Sequence, residues 1–171
     1  MIEKFKNIFE GLDRAHGVTI VGESNGNGTK VKGKSFVKRE PVTNELWQKH
    51  LDGIDSLGVI PINDDNKCKW GCIDIDSYAG FDHQKLINKI KQFKLPLIPL
   101  LSKSGGLHCY LFLKEPIPAV DLISALKSFL LPLGLDPDTE VFPKQKELKE
   151  DDKGEIKPGN FINLPYYNNG S

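Results

Sequence analysis

Cys72-Ile73-Asp74-Ile75-Asp76 alternates carboxylates with isoleucine inside an apolar stretch. In a strand, residues two apart project from one face, about 6.5–7 Å apart. Asp74 and Asp76 therefore point together while Ile73 and Ile75 face the other way. Two carboxylates held side by side repel each other and resist desolvation. A divalent cation removes that cost, and oxygen ligands suit magnesium or manganese. The plainer reading leaves Asp76 at the exposed end of a strand and Asp74 accepting backbone hydrogen bonds. A second feature is Ser102-Lys103-Ser104-Gly105-Gly106-Leu107-His108. Its small residues let backbone N–H groups approach an anion, and Lys103 and the hydroxyls add donors. Its plainer reading is a glycine hairpin leading into a strand histidine. The third feature is Thr139-Glu140-Val141-Phe142-Pro143-Lys144-Gln145, in which Glu140 shares a strand face with Phe142 and Lys144. A solvated edge glutamate is the bland alternative there.

These residues need elements to bring them together. Trp70–Ile75, Leu97–Ser102, His108–Leu113 and Glu140–Lys144 read as strands, with Pro99 marking an edge. Asp82 caps a helix carrying Leu86, Ile87, Ile90 and Phe93 at helical spacing, and Val120–Leu131 reads as a second helix. The order strand, helix, strand, strand, helix, strand is the split βαβ, ferredoxin-like or RRM-like arrangement. It predicts an α+β fold with strand order 4-1-3-2, right-handed crossovers and both helices on one face. The other face is expected to stay open and hold the site. Asp74 and Asp76 then come from the first strand, His108 from the third and Glu140 from the fourth. Their convergence with the glycine-serine-lysine turn makes a metal–triphosphate site.

Composition divides the chain near residue 68, into a smaller α/β lobe over 1–67 and a catalytic core over 68–171. In the lobe, Phe5, Ile8, Phe9 and Leu12 mark a short amphipathic helix. Val18–Val21 and Ser35–Val37 flank a glycine-rich loop, Gly22–Gly28, as a hairpin. Thr43 caps a short helix with Leu46, Trp47 and Leu51, and Leu57–Ile62 reads as a buried strand. Lys30, Lys32, Lys34, Lys38 and Arg39 form a basic strip that could line a phosphate backbone, with Phe36 and Trp47 as candidate stacking residues. The bland reading of that strip is a solvated hairpin. Residues 146–158 read as a flexible polar loop, and 160–167 as an apolar stretch that pairs or packs beside the sheet. His50 and His83 read as solvated helix residues.

The 171 residues hold 23 basic and 23 acidic side chains, so bulk charge alone does not bind nucleic acid. No apolar run approaches the ~18 residues of a spanning helix, and Met1-Ile2-Glu3-Lys4 does not open an export signal. Three cysteines, Cys68, Cys72 and Cys109, match neither a zinc nor a redox spacing and point to a reduced cytoplasmic compartment.

The Asp74-Ile75-Asp76 pair, the Ser104–His108 turn and the Glu140–Gln145 strand, in that order, resemble the three motifs of archaeo-eukaryotic primases. Asn160–Tyr166 resembles the segment that follows them. The likeness covers about residues 57–167. It is nearest to bacterial, plasmid and phage primase-polymerases, including primase domains of conflict systems and CRISPR-associated ones. Ser104 and His108 stand four apart, where the family motif has them two apart. The resemblance implies a DNA-directed nucleotidyltransferase using (d)NTPs, a DNA template and a primer. It implies two Mg2+ or Mn2+ ions held by Asp74, Asp76 and Glu140. Lys103, Ser104, His108, Lys144 and Asn163 would bind the nucleotide, and Lys34, Lys38 and Arg39 the DNA. Tyr110 and Tyr166 are candidates for sensing the sugar 2′-position. A monomeric core is expected, in a cytoplasmic protein encoded by a prokaryote, plasmid or phage. It is expected to be a minimal form, or a fragment working with helicase or other replication domains. The rival readings are another metal-dependent enzyme on a palm-like frame, such as a nucleotide cyclase, and a non-catalytic RRM-like nucleic-acid binder.

Overall fold

A computed structural model describes residues 2–20, 34–76, 81–102 and 105–167. Local chemistry sets the helix boundaries. Thr43 accepts from Leu46 N at 3.4 Å and opens α2 (Asn44–Leu51). Asp82 accepts from Lys85 N at 2.9 Å and opens α3 (His83–Gln92). α1 (Ile2–Phe9) buries Phe9, and Leu12 is buried just beyond its end. α4 (Ala119–Leu133) starts behind Pro118 and stops at Gly134, whose φ of 71° suits a residue without Cβ.

The strands form two four-stranded sheets. The first contains β1 (His16–Ile20), β2 (Lys34–Lys38), β3 (Leu57–Val59) and β8 (Ile162–Asn163), in the order β2-β1-β3-β8. The second contains β4 (Lys67–Ile75), β5 (Ile98–Leu101), β6 (Leu107–Pro118) and β7 (Glu140–Phe142), in the order β5-β6-β4-β7. All neighbours are antiparallel. Pro99 lies on the edge strand β5, where its missing N–H costs no ladder bond.

One face of the second sheet packs Ile73, Ile75, Cys109, Leu111 and Val141 against Leu86 and Ile90 of α3 and Leu122, Leu126 and Leu130 of α4. Gly71 allows the closest approach of α4, since a Cβ there would meet Leu126 Cδ1 at 2.9 Å. The opposite face is not open, contrary to the sequence expectation. Trp70, Cys72, Tyr110 and Phe142 on that face are buried beneath Phe9, Trp47, Leu57, Val59, Ile162 and Leu164. The reason is the size of the side chains involved. Burying apolar area yields roughly 25 cal/mol per Å2, and this face presents a tryptophan, a tyrosine and two phenylalanines that solvent does not tolerate together.

Several boundaries differ from the sequence reading. β3 ends at Val59 rather than 62, because Pro61 has no N–H for a ladder; Ile60, Pro61 and Ile62 are still buried. β7 ends at Phe142 ahead of Pro143 for the same reason. β6 runs to Pro118, past the expected Leu113, because a register shift between Cys68 and Trp70 keeps Lys67 opposite Pro118. The polar stretch 146–158 is a built turn: Asp151 Oδ1 accepts from Lys153 N and Glu155 N at 3.0 Å each, and Glu150 bridges Ile156. The segment after it joins the first sheet, with Val59 opposite Ile162 and Gly58 opposite Asn163. The glycine-rich loop lies outside the described residues. Among those described, no helix is long and apolar enough to cross a membrane.

Candidate active site

Along the covered face of the second sheet, β4, β6 and β7 change from apolar to polar at the same level, while β5 sets Leu100 opposite His108. Trp70 pairs with Phe112, and Cys72 pairs with both Tyr110 and Phe142. The next row on this face sets Asp74 between His108 on β6 and Glu140 on β7. Three residues far apart in sequence thus become direct neighbours through register alone. The apolar rows are covered, and Asp74 and His108 of the polar row face a cleft of about 410 Å3 where the two sheets meet, while Glu140 lies beside it. That volume falls within the usual range for small-ligand sites. Asp74, His108, Phe142 and Lys144 line one side, and Ser35–Val37 and Asn160–Asn163 line the rest.

Asp74 Oδ1 lies 3.2 Å from His108 Nε2, and His108 Nδ1 lies 3.2 Å from the Tyr110 hydroxyl. Burial holds Tyr110 in its neutral form, with its pKa pushed well above the ordinary value. Nε2–H donates to the Asp74 carboxylate, and Nδ1 meets the Tyr110 hydroxyl. Both ring nitrogens are thus engaged by protein, and His108 positions Asp74. Glu140 Oε2 lies 2.7 Å from Lys144 Nζ, which also sits 5.0 Å from the Phe142 ring centroid. Asp76 lies past the end of β4 and is exposed. Among the described residues, no three His, Cys, Asp or Glu side chains gather to hold a metal ion. The donor chemistry still fits a hard divalent cation, since Asp74 and Glu140 are cross-strand partners with oxygen donors and Asp74 is a quarter exposed. In the arrangement seen, the imidazole of His108 and the ammonium of Lys144 take up these carboxylates.

Lys103 and Ser104 lie outside the described residues. On either side of them, Gly105 N donates to Ser102 O, Ser102 N donates to Gly106 O, and Gly105 has a φ of 89°. His83 is partly exposed, and its Nε2 meets Gly105 O at 2.8 Å. His50 is fully buried between Leu57 N and Pro165 O.

The basic strip divides. Lys34, Phe36 and Lys38 alternate along one face of the edge strand β2, all exposed. Lys38 pairs with Glu40 at 2.7 Å, and Arg39 reaches Asp151 and Glu155, so it fastens the 150–156 turn. Trp47 is core, 2% exposed. Arg14 pairs with Asp64 and donates to Ile156 O, and His16 is buried against Glu40 O. Asn163 lines the cleft and accepts from Thr19. Of the two tyrosines considered for the sugar, Tyr110 is fully buried, and Tyr166 is exposed but does not line the cleft. Sequence reasoning missed Ser35, Thr19, Asn160 and Phe161. The available signal was the pair Gly17 and Gly58, on which the Phe161 ring sits.

The model of the archaeo-eukaryotic primase domain of TOTE conflict systems matches residues 19–170, a span that contains the His108–Asp74–Glu140 row and most of both sheets. This chain belongs to that family. Membership makes it a primase-like domain of nucleotidyltransferase character, and its two antiparallel sheets and four helices agree with that. The match reaches further toward the N-terminus than the motif resemblance does, taking in the end of β1 and all of β2. No curated protein matches the chain significantly.

Proposed function

We propose that the chain is the catalytic core of a DNA-directed primase-polymerase, built on an RRM-like second sheet, that transfers nucleotidyl groups from (d)NTPs to a primer 3′-hydroxyl on a DNA template. The observation that carries this reading is the cleft lined by Asp74, His108 and Lys144, with Glu140 directly across from Asp74 on β7. Asp74, Asp76 and Glu140 would hold two Mg2+ or Mn2+ ions. When bound, such ions activate the attacking hydroxyl and neutralise the leaving pyrophosphate. The 3′-oxygen forms a bond to the α-phosphorus while the bond from that phosphorus to the α–β bridging oxygen breaks. The chain's own residues supply position and charge. Tyr110 holds the His108 ring, and His108 holds Asp74. With cations on Asp74 and Glu140, His108 and Lys144 would be free to donate to the triphosphate, alongside Lys103 and Ser104. Lys34 and Lys38, exposed on either side of Phe36, would contact the nucleic-acid backbone, Lys38 by leaving Glu40.

The covered sheet weighs against the reading as a non-catalytic RRM-like binder. Such modules stack bases on exposed aromatics of the central strands, whereas Trp70 and Tyr110 are fully buried. The decisive experiment is extension of a primed DNA template with deoxynucleotides and manganese or magnesium. Wild-type extension that is lost in the Asp74→Ala, Asp76→Ala double variant is the expected result. Full activity in that variant eliminates the site. Pyrophosphate release without any nucleic acid favours a cyclase-like enzyme instead.

A further inference from the structure

On the first sheet, Thr19 lies directly opposite Ser35, and Gly17, Gly58 and Asn163 follow on the same face. Thr19 Oγ1 donates to Asn163 Oδ1 at 3.1 Å. A threonine hydroxyl has one proton, so the 3.1 Å contact between Thr19 and Ser35 is donated by Ser35. The relay therefore runs one way, from Ser35 through Thr19 to Asn163. It turns the Asn163 carbonyl to Thr19 and leaves the amide NH2 with both protons for another acceptor. Ser35 and Asn163 both line the cleft, beside Phe161, whose ring lies where a Cβ on Gly17 or Gly58 would come within 2.0 or 2.2 Å. This wall is neutral and partly aromatic. The charged lining residues, Asp74 and Lys144, belong to the β4–β7 side. Phosphate oxygens call for charge-assisted donors, whereas sugars and bases are held by neutral donors and aromatic surfaces.

We propose that the Ser35–Thr19–Asn163 relay is the nucleoside-recognition wall of the cleft. Asn163 donates to an acceptor on the sugar or base of a nucleoside triphosphate, and Thr19 and Ser35 are positioning residues that fix its amide. The proposal rests on the nucleotide-binding reading above and adds which end of the ligand each wall takes. The test is equilibrium titration of the full chain, in manganese, with a deoxynucleoside triphosphate and separately with inorganic triphosphate. Asn163→Leu should weaken nucleotide binding roughly tenfold, the worth of one or two buried hydrogen bonds, and leave inorganic triphosphate within about twofold. Thr19→Val should reproduce that split and Thr19→Ser should restore binding; His108→Ala should weaken both ligands. Thermal unfolding of each variant reports whether it is folded, and Asn163→Leu alone decides the matter if Thr19→Val is not. Equal losses for both ligands, or no loss for either, overturn the wall. If the wild type binds neither ligand, the nucleotide-binding reading itself fails.

Discussion

Lys144 occupies Glu140 as a metal ion would, with an ammonium 2.7 Å from the carboxylate. An ion pair this exposed contributes less than ~1 kcal/mol, so it would yield readily to the divalent cation of the proposed function. Lys144→Ala should therefore leave manganese binding intact or a few-fold tighter, while nucleotide binding weakens. Calorimetric titration of each ligand separates the two effects, and parallel losses would contradict the exchange of partners. His108→Ala removes the support of Asp74 and, on the proposed function, a phosphate donor. It should weaken nucleotide binding more than binding to template DNA measured by fluorescence anisotropy; equal losses contradict that division. At this scale the sequence was informative about residue type. Asp74, His108 and Glu140 were recognisable as chemistry because carboxylates and histidine are unusual among β-branched and aromatic neighbours. Their partners were not recognisable. That Tyr110 orients His108 and Lys144 holds Glu140 depends on rotamers, and Arg39, which reads as a DNA contact, spends its charge on Asp151 and Glu155.

Elements carry the next set of consequences. His50 on α2 joins β3 to the segment after β8: its Nδ1 accepts from Leu57 N at 3.1 Å and its Nε2 donates to Pro165 O at 2.8 Å. A proton on Nδ1 would set two donors against each other, and burial lowers the His50 pKa below its ordinary 6.5. The unfolded chain takes up this proton near pH 6.5 and the folded chain only at lower pH. The stabilisation is therefore complete above pH 6.5 and declines as pH falls below it. Urea midpoints at about pH 7.5 and about pH 5.5 should show that decline, and His50→Gln should flatten it. Gly58→Ala drives a methyl into the Phe161 ring, 2.2 Å from its Cδ2. Overpacking of this kind costs about 1–3 kcal/mol, to be read from urea unfolding, and it shifts the aromatic surface of the cleft as well. The strands and helices from 70 to 142 were legible because their periodicities are long and their caps explicit. The ends of β3 and β7 were misjudged where a proline interrupts an apolar run, since burial continues after the ladder stops.

At the scale of the molecule, three thiols sit in the two cores. Burial pushes Cys68 and Cys109 up to about 12 and raises Cys72 as well. Only the thiolate reacts readily, so a thiol reagent should label none of them in the folded protein and all three on denaturation. Fast labelling under native conditions would contradict the packing. The cover over the second sheet was the part of the fold least visible in sequence. The apolar residues were plain enough, but their burial depends on Leu57–Val59 meeting Ile162–Asn163 across about a hundred residues, a pairing with no local signature. That pairing also bears on how the protein comes into being. A ribosome releases β1, β2, β3 and the entire second sheet before it makes Asn163. Until the last strand emerges, the nascent chain has its acidic row but lacks one wall of the cleft. It also leaves bare the aromatic surface that Ile162 and Leu164 will help to cover. On the proposed function, the capacity to hold a nucleotide would then be acquired late, and an interrupted translation product would be sticky without being competent.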